Sequence, residues 1–313
     1  MLQRIPIVFL SSLLSACSIS PKIEHDIVSF YDYRFYSPQW EPIDLKALPS
    51  DIDQADVVLI GEWHTHAGIH RFQSDFVKQR LFQPRPIALS MEQFSRHKQT
   101  IVDRYLAGEI GEQVLIKQGE AWPNYESDYR PLVELAKSQG LDIIAANAPR
   151  AIVRCIGRQG LSYLDKLDSQ QRLWVAKQVD DSASPYKEKF MASMHHGKPE
   201  QTIRQYAAQV TWDETMAESI VNYLQSHPTT QVVHIAGKFH TEQGLGTKAS
   251  ILKRNPNLKV VVITPTTLTS TPSTISQDYW LDVLQPPARY VNDDNRKAAY
   301  HHVNPKSDDS SCQ

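Results

Sequence analysis

Glu62, His64, Glu92 and His240 are the side chains best suited to acid–base or metal chemistry, and each stands at the end of an apolar run. Val57-Val58-Leu59-Ile60 leads into Gly61-Glu62-Trp63-His64, and Gln231 to Ala236 leads into Gly237-Lys238-Phe239-His240. One local device therefore occurs twice: apolar strand, glycine, two residues, histidine. A glycine directly after a strand permits a sharp or left-handed turn, which can aim the histidine back over the sheet edge. Two histidines and two carboxylates can bind a divalent metal or act as general acid and base. A hydrogen-bonded network that only braces the loops would use the same residues. Asn147 and Arg150 follow a third apolar run, and Arg150, Arg154 and Arg158 fall on one helical face. Arg150, nearest the strand end, is the one placed to pair with ligand carboxylates. His66 and His70 share the four-residue spacing of helical zinc ligands but lack the intervening glutamate of metalloproteases, so they read as pocket rim or solvent-facing.

These residues need a frame, and the hydrophobic pattern supplies one. Strands are expected over 57–60, 87–91, 142–146, 231–236 and 259–264, with an edge strand at 279–284 and a short arm within 27–36. Helices are expected over 69–81, 94–106, 112–118, 129–139 and 149–157, and again at 247–254. Strands separated by helices indicate an α/β fold with a mostly parallel sheet flanked by helices. Ligands of such sheets bind at the carboxyl ends of the strands. Glu62, His64, Glu92, Asn147, Arg150 and His240 all lie there, so they are expected to form one pocket. From 160 to 209 only helical patterns occur, which reads as a smaller all-helical subdomain inserted into the sheet domain. The expected organisation is a leader at 1–17, a discontinuous α/β domain at 18–159 and 210–290, the helical insertion at 160–209 and a disordered polar tail at 291–313.

The 33 basic and 35 acidic residues nearly cancel, with no long run of one sign, which argues against a nucleic-acid partner. The N-terminus has a targeting pattern: Arg4, the apolar run Ile5 to Leu14, then Leu14-Ser15-Ala16-Cys17. This is similar to a bacterial lipobox, in which Cys17 is acylated and becomes the mature N-terminus. Ser18 after the cysteine implies an outer-membrane anchor facing the periplasm. The two other cysteines, Cys155 and Cys312, can pair in an oxidising compartment, but their spacing does not establish proximity.

Within the insertion, Tyr186, Phe190 and Met194 form one stripe, His195 and His196 follow it, and Tyr163 precedes it. Tyrosine or histidine can ligate haem iron while apolar neighbours cover the porphyrin, although such a stripe more often packs a core. The chain has no Gly-x-Ser-x-Gly elbow, P-loop or dinucleotide fingerprint.

Taken in order behind the lipobox, Gly61-Glu62-x-His64, Met91-Glu92, Asn147-Ala148-Pro149-Arg150 and Gly237-Lys238-Phe239-His240 resemble the ChaN-like haem-binding lipoproteins. That family sits in a superfamily with Tiki and TraB proteins and the erythromycin esterases. The resemblance spans about Val57 to Pro265. It implies a non-catalytic lipoprotein of haem and iron uptake, working with a haem receptor or transport components. It also implies a homodimer holding two stacked haems, each iron ligated by a tyrosine, with a histidine near it. Tyr163 is the first choice for that tyrosine and Tyr186 the second, with His195 or His196 as the histidine and Arg150 beside the cofactor. The superfamily equally implies an alternative, a metal-dependent or acid/base protease or esterase using Glu62, His64, Glu92 and His240.

Overall fold

The computed structural model describes residues 27–194, 198–267, 277–303 and 312. The strands are β1 (Tyr33–Tyr36), β2 (Val57–Glu62), β3 (Ile87–Ser95), β4 (Ile143–Asn147), β5 (Gln231–Gly237), β6 (Val260–Thr266) and β7 (Tyr279–Val283). The helices in the first half are α1 (Ser50–Gln54), α2 (Ala67–Arg80), α3 (Gln99–Leu106), α4 (Glu112–Gln118), α5 (Arg130–Gln139) and α6 (Arg150–Gln159). After them come α7 (Ser169–Arg172), α8 (Pro185–Ser193), α9 (Pro199–Ser226), α10 (Lys238–Thr241), α11 (Thr247–Arg254) and α12 (Asp293–Val303).

The strands form a single sheet in the order β1-β7-β6-β2-β5-β3-β4, parallel except for the edge pair β1 and β7. Every residue of β2, β4 and β5 is buried, as expected of strands covered on both faces, where continuous apolar runs replace alternation. On one face Val58, Ile60, Leu89 and Ile235 pack with Phe72, Phe76 and Leu132 from α2 and α5. On the other, Val57, Leu59 and Val232 pack with Met216, Ile220 and Ile251 from α9 and α11. The chain is thus an α/β fold with a mostly parallel sheet between helical layers.

Local signals set most boundaries. Gly140 takes the left-handed conformation (φ 64°) that closes α5, and Ser184 caps α8 through the Lys187 amide. Two expectations shift. Phe94 belongs to β3 rather than to a helix, because its fully buried ring packs edge-on against Tyr125. The helical pattern that opens the stretch 160–209 breaks into a 3-10 turn (Leu161–Lys166) and α7, divided where Asp168 and Gln171 form a capping box.

Among the described residues, no strand lies between α6 and α9. The first half of α9 packs with α6 and Tyr163 in one cluster and with Tyr186 and Phe190 of α8 in another, and its second half covers the sheet. Beyond residue 290 the structure departs from the expected disorder. Residues 293–303 form α12, and Cys312 is joined to Cys155 of α6 by a disulfide, its carbonyl accepting from Gln159 Nε2 at 2.7 Å.

The two cysteines are 157 residues apart in sequence. A crosslink of that span restricts the unfolded chain and is expected to favour the folded state by about 2–4 kcal/mol. Cys312→Ser and Cys155→Ser should each lower the unfolding free energy measured in urea by that amount, with a lower midpoint, and reductant should do the same to the native chain while leaving both variants unchanged. A native midpoint indifferent to reductant would refute this.

Candidate functional site

The two Gly-x-x-His turns are neighbours because β2 and β5 are neighbours. In the parallel register Gly61 pairs with Ala236 and Glu62 with Gly237, so His64 and His240 leave the sheet from adjacent strand ends. β3 lies on the other side of β5, bringing Glu92, and β4 beyond it brings Asn147, whose amide donates to the Glu92 carbonyl at 3.0 Å. His64 lies across Gly237: a Cβ there would stand 2.8 Å from the imidazole Cε1 and 3.0 Å from Nε2. The second glycine is required by close approach rather than by its dihedral angles.

Glu62 is buried and accepts from four side chains. His64 Nδ1 (2.9 Å), Tyr129 Oη (2.6 Å) and Gln93 Nε2 (3.1 Å) reach Oε1, and Gln73 Nε2 (2.8 Å) reaches Oε2. Burial alone would raise its pKa, but the His64 hydrogen bond, the nearby His70 and the Tyr129 and Gln73 donors outweigh it and hold the carboxyl below its ordinary value. Glu92 accepts from the Gly237 amide at 2.7 Å and faces His240 Nε2 at 3.8 Å. His240 is buried with Nδ1 3.1 Å from Asp213 of α9. Asp213 also accepts from Tyr186 Oη and Thr247 Oγ1, each at 2.8 Å. Burial opposes the charge on His240, yet Asp213 and then Glu92 overcome it and push the pKa up to about 9. His64 is also raised, the Glu62 hydrogen bond and the Glu92 charge exceeding its desolvation. The site therefore holds two carboxylate–imidazole pairs, Glu62–His64 and Asp213–His240, with Glu92 between them.

These groups form part of the wall of a cavity of about 1200 Å³. Glu62, His64, Glu92, Asn147, Arg150 and His240 all line it, as do Trp63, Trp122, Trp212 and Phe239. Arg150, Lys238 and Arg289 add cations, while Phe30, Pro286 and Pro287 contribute from outside the sheet edge. Of the three histidines on this wall, only His64 is substantially exposed, with 44% of its side chain accessible.

Other sequence candidates fall elsewhere. Tyr186 is buried, its hydroxyl given to Asp213 and accepting from Gln209 Nε2 at 3.0 Å; burial and Asp213 push its pKa well above the usual value. Tyr163 is half-buried against the α6 cluster and does not line the cavity. Cys17, His195 and His196 lie outside the described residues. His66 and His70, expected at the rim or in solvent, are both buried: His66 on the cavity wall with Nε2 on the Leu284 carbonyl, His70 bridging Gln73 Oε1 and the His64 carbonyl. Among the described residues, no three His, Cys, Asp or Glu side chains are grouped to hold a metal ion. Both imidazoles are instead committed to carboxylates.

Gln73, Gln93, Trp122, Tyr129, Gln209 and Asp213 went unnoticed in the sequence. Gln209 and Asp213 stand one helical turn apart on α9, but Thr211, Glu214 and Thr215 beside them leave no polar pair that the sequence singles out.

The family described as Haem-binding uptake, Tiki superfamily, ChaN matches residues 48–251. A curated relative, Protein RETICULATA-RELATED 5 (chloroplastic) of Arabidopsis thaliana, is 23% identical over 199 residues; the match covers 59% of this chain and 27% of that protein. The chain thus spans about a quarter of the relative's length. Among solved structures, the chain resembles one described as cofacial heme binding to ChaN of Campylobacter jejuni. The TM-score is 0.62 at 17% identity, covering 81% of this chain and 98% of that one. An erythromycin esterase variant in its open conformation aligns with a TM-score of 0.46 at 12% identity, covering 87% of each chain.

The raised pKa of His240 has a consequence for stability. A group whose folded pKa exceeds its unfolded value stabilises the fold below the unfolded pKa and loses that contribution as pH climbs through the folded one. Between the ordinary 6.5 and about 9, unfolding free energy should therefore fall, by on the order of 3 kcal/mol. Urea unfolding of the native chain from pH 6 to 9.5 tests this, and Asp213→Asn should flatten the profile. A native profile that is already flat or rises over this range would contradict the assignment.

Proposed function

The chain belongs to the ChaN family of haem-binding uptake proteins in the Tiki superfamily, and on that footing we propose that it is a lipid-anchored, non-catalytic haem-binding protein of bacterial haem and iron uptake. The observation that carries this reading is the cavity at the sheet edge. Haem is a flat apolar macrocycle with two carboxylates. Trp63, Trp122, Trp212 and Phe239 offer surfaces to the ring, and Arg150, Lys238 and Arg289 offer charge to the carboxylates. When bound, haem supplies the iron that uptake delivers. His64, with its exposed ring, is the imidazole we assign to face it.

The resemblance implies a tyrosine ligand. Neither candidate lines this cavity: Tyr163 packs against the α6 cluster, and ionising Tyr186 would leave two negative charges side by side in a buried pocket, so the tyrosine ligand belongs to the resemblance and the cavity itself offers His64. The Campylobacter protein's cofacial haem supports a second copy of this chain facing the open side of the cavity, so the working unit is a haem-linked homodimer. Acylation at Cys17 places that unit on the outer membrane, facing the periplasm, where the Cys155–Cys312 disulfide is at home. A haem receptor or transport component would then take the haem onward.

A second reading has its own observation, the two carboxylate–imidazole pairs. Glu62, His64, Glu92 and His240 have the components of an acid/base hydrolase, an esterase or protease. Esterase and peptidase assays on the native chain, His64→Ala and His240→Ala decide it, since this reading requires turnover that both variants lose.

Titration of the purified protein with hemin tests the first reading. A shifted Soret band is expected, with Arg150→Ala weakening binding roughly tenfold through loss of a charge-assisted contact. His64→Ala should change the haem spectrum, and Tyr186→Phe, whose hydroxyl is held by Asp213, should not. Absence of any Soret shift would overturn the proposal.

A further inference from the structure

Phe30 lines the cavity from a segment that lies outside the sheet. Residues Ser29 to Asp32 form a tight turn, the Asp32 amide donating to the Ser29 carbonyl at 3.1 Å. Asp32 Oδ2 locks it by accepting from the Val28 amide, the Ser29 amide and Ser29 Oγ at 3.1, 2.7 and 2.9 Å. The Tyr31 carbonyl accepts from Arg71 at 3.3 Å, and the turn's backbone presses on the start of α2: a Cβ on Gly68 would stand 2.9 Å from the Phe30 carbonyl and 2.8 Å from that of Asp32. The turn is therefore fixed, and what it holds in water is apolar: Val28 is 78% exposed and Tyr31 65%. The segment carrying Pro286, Pro287 and Arg289, which also lines the cavity, continues into exposed Tyr290 and Val291. Scattered apolar side chains on a surface are ordinary, but a braced group beside a ligand cavity marks a contact surface.

The length of chain before the turn says what the contact is. Ten residue steps separate Cys17 from Ile27, the first described residue. Fully extended they span about 35 Å, and as a flexible coil roughly 17 Å, whereas a chain of this length has a radius of gyration of about 20 Å. An acyl anchor at Cys17 therefore keeps the turn nearer the lipid than most of the surface can come. At such effective concentration, even a weak apolar contact is occupied. Valine with an aromatic ring that has one polar end suits the headgroup boundary.

We propose that in the haem-free chain, before a second copy joins it, the turn Val28–Tyr31 seats on the phospholipid surface that carries the Cys17 anchor, with the cavity turned toward the membrane. The inference rests on the lipid-anchored, haem-carrying reading and adds a route to it: an amphipathic macrocycle dissolved in the bilayer enters the cavity without crossing bulk water. Phe30, between membrane and wall, lies along that route.

The test uses the full lipidated chain on phosphatidylethanolamine–phosphatidylglycerol vesicles. An environment-sensitive fluorophore is attached at Val28→Cys or, as control, at Phe82→Cys, an exposed site beyond the far end of α2 and about 20 Å along that helix from the turn. The Val28 probe should shift to the blue and be quenched by brominated lipid, and the Phe82 probe should do neither. Vesicles loaded with hemin provide a second readout. Val28→Asp with Tyr31→Asp should slow uptake roughly tenfold while leaving hemin affinity in solution unchanged. A chain that fails to float with vesicles removes the anchor and this docking together. A chain that floats with a wet Val28 probe overturns the docking alone, as does a probe shielded without bromolipid quenching, which would place a second copy on the turn.

Discussion

The parallel pairing of β2 with β5 is the constraint on which the site depends. Because Glu62 stands opposite Gly237, the strand ends leave the sheet side by side, and the missing side chain at Gly237 is the space that the His64 ring occupies. A one-residue slip would turn Glu62 to the other face and set a Cβ against the imidazole. Burial of β2 and β5 on both faces prevents such a slip, since it would carry their apolar side chains out of register with both helical layers. The chemistry of the edge is thus fixed by the packing beneath it.

Packing alone does not make three buried acidic residues tolerable in one place. Glu62, Glu92 and Asp213 are each nearly inaccessible, and an unpaired carboxylate in such surroundings would be severely destabilising. The structure answers with donors: four side chains on Glu62, a backbone amide on Glu92, and two hydroxyls with an imidazole on Asp213. The resulting field raises the pKa of His64 and keeps His240 cationic, whereas His234, one layer deeper, is pushed the other way. Burial and then repulsion from His240 push that imidazole down to about 3. Two histidines a few residues apart on one strand-loop unit hold opposite charge states because only one has carboxylates to face.

How much of this was legible in the sequence follows from which contacts are local. Strand positions, their order along the chain and the polar residues at their ends were readable, since a buried parallel strand writes itself as an apolar run and its end as a glycine or a change of polarity. The convergence of Glu62, Glu92, Asn147 and His240 needed only the rule that parallel strands share a carboxyl edge. Asp213 was not found, because its role depends on where α9 crosses the sheet edge, and no periodicity within α9 encodes that crossing. The break at Asp168 turned on a single capping box inside an otherwise helical composition. The helix at Asp293–Val303 and the Cys155–Cys312 crosslink were hidden by the polar composition of the tail, and a pairing of residues 157 apart has no local signature.

The same wall can be read as a machine for proton transfer or as a brace, and its two imidazoles differ in which they suit. A general base needs a free lone pair and a pKa near the working pH, yet His240 is walled in, bonded to Asp213 and raised to about 9, so it is a fixed cation. His64 differs: its Nδ1 is held by Glu62 while its other face is open, which orients the ring for a ligand or for a proton alike. What such a network does well is present an unchanging surface of buried charge, aromatic rings and cations along one cavity. A cavity of that kind suits holding a flat, doubly acidic ligand, because the protein need neither donate nor accept a proton for the ligand to enter or leave.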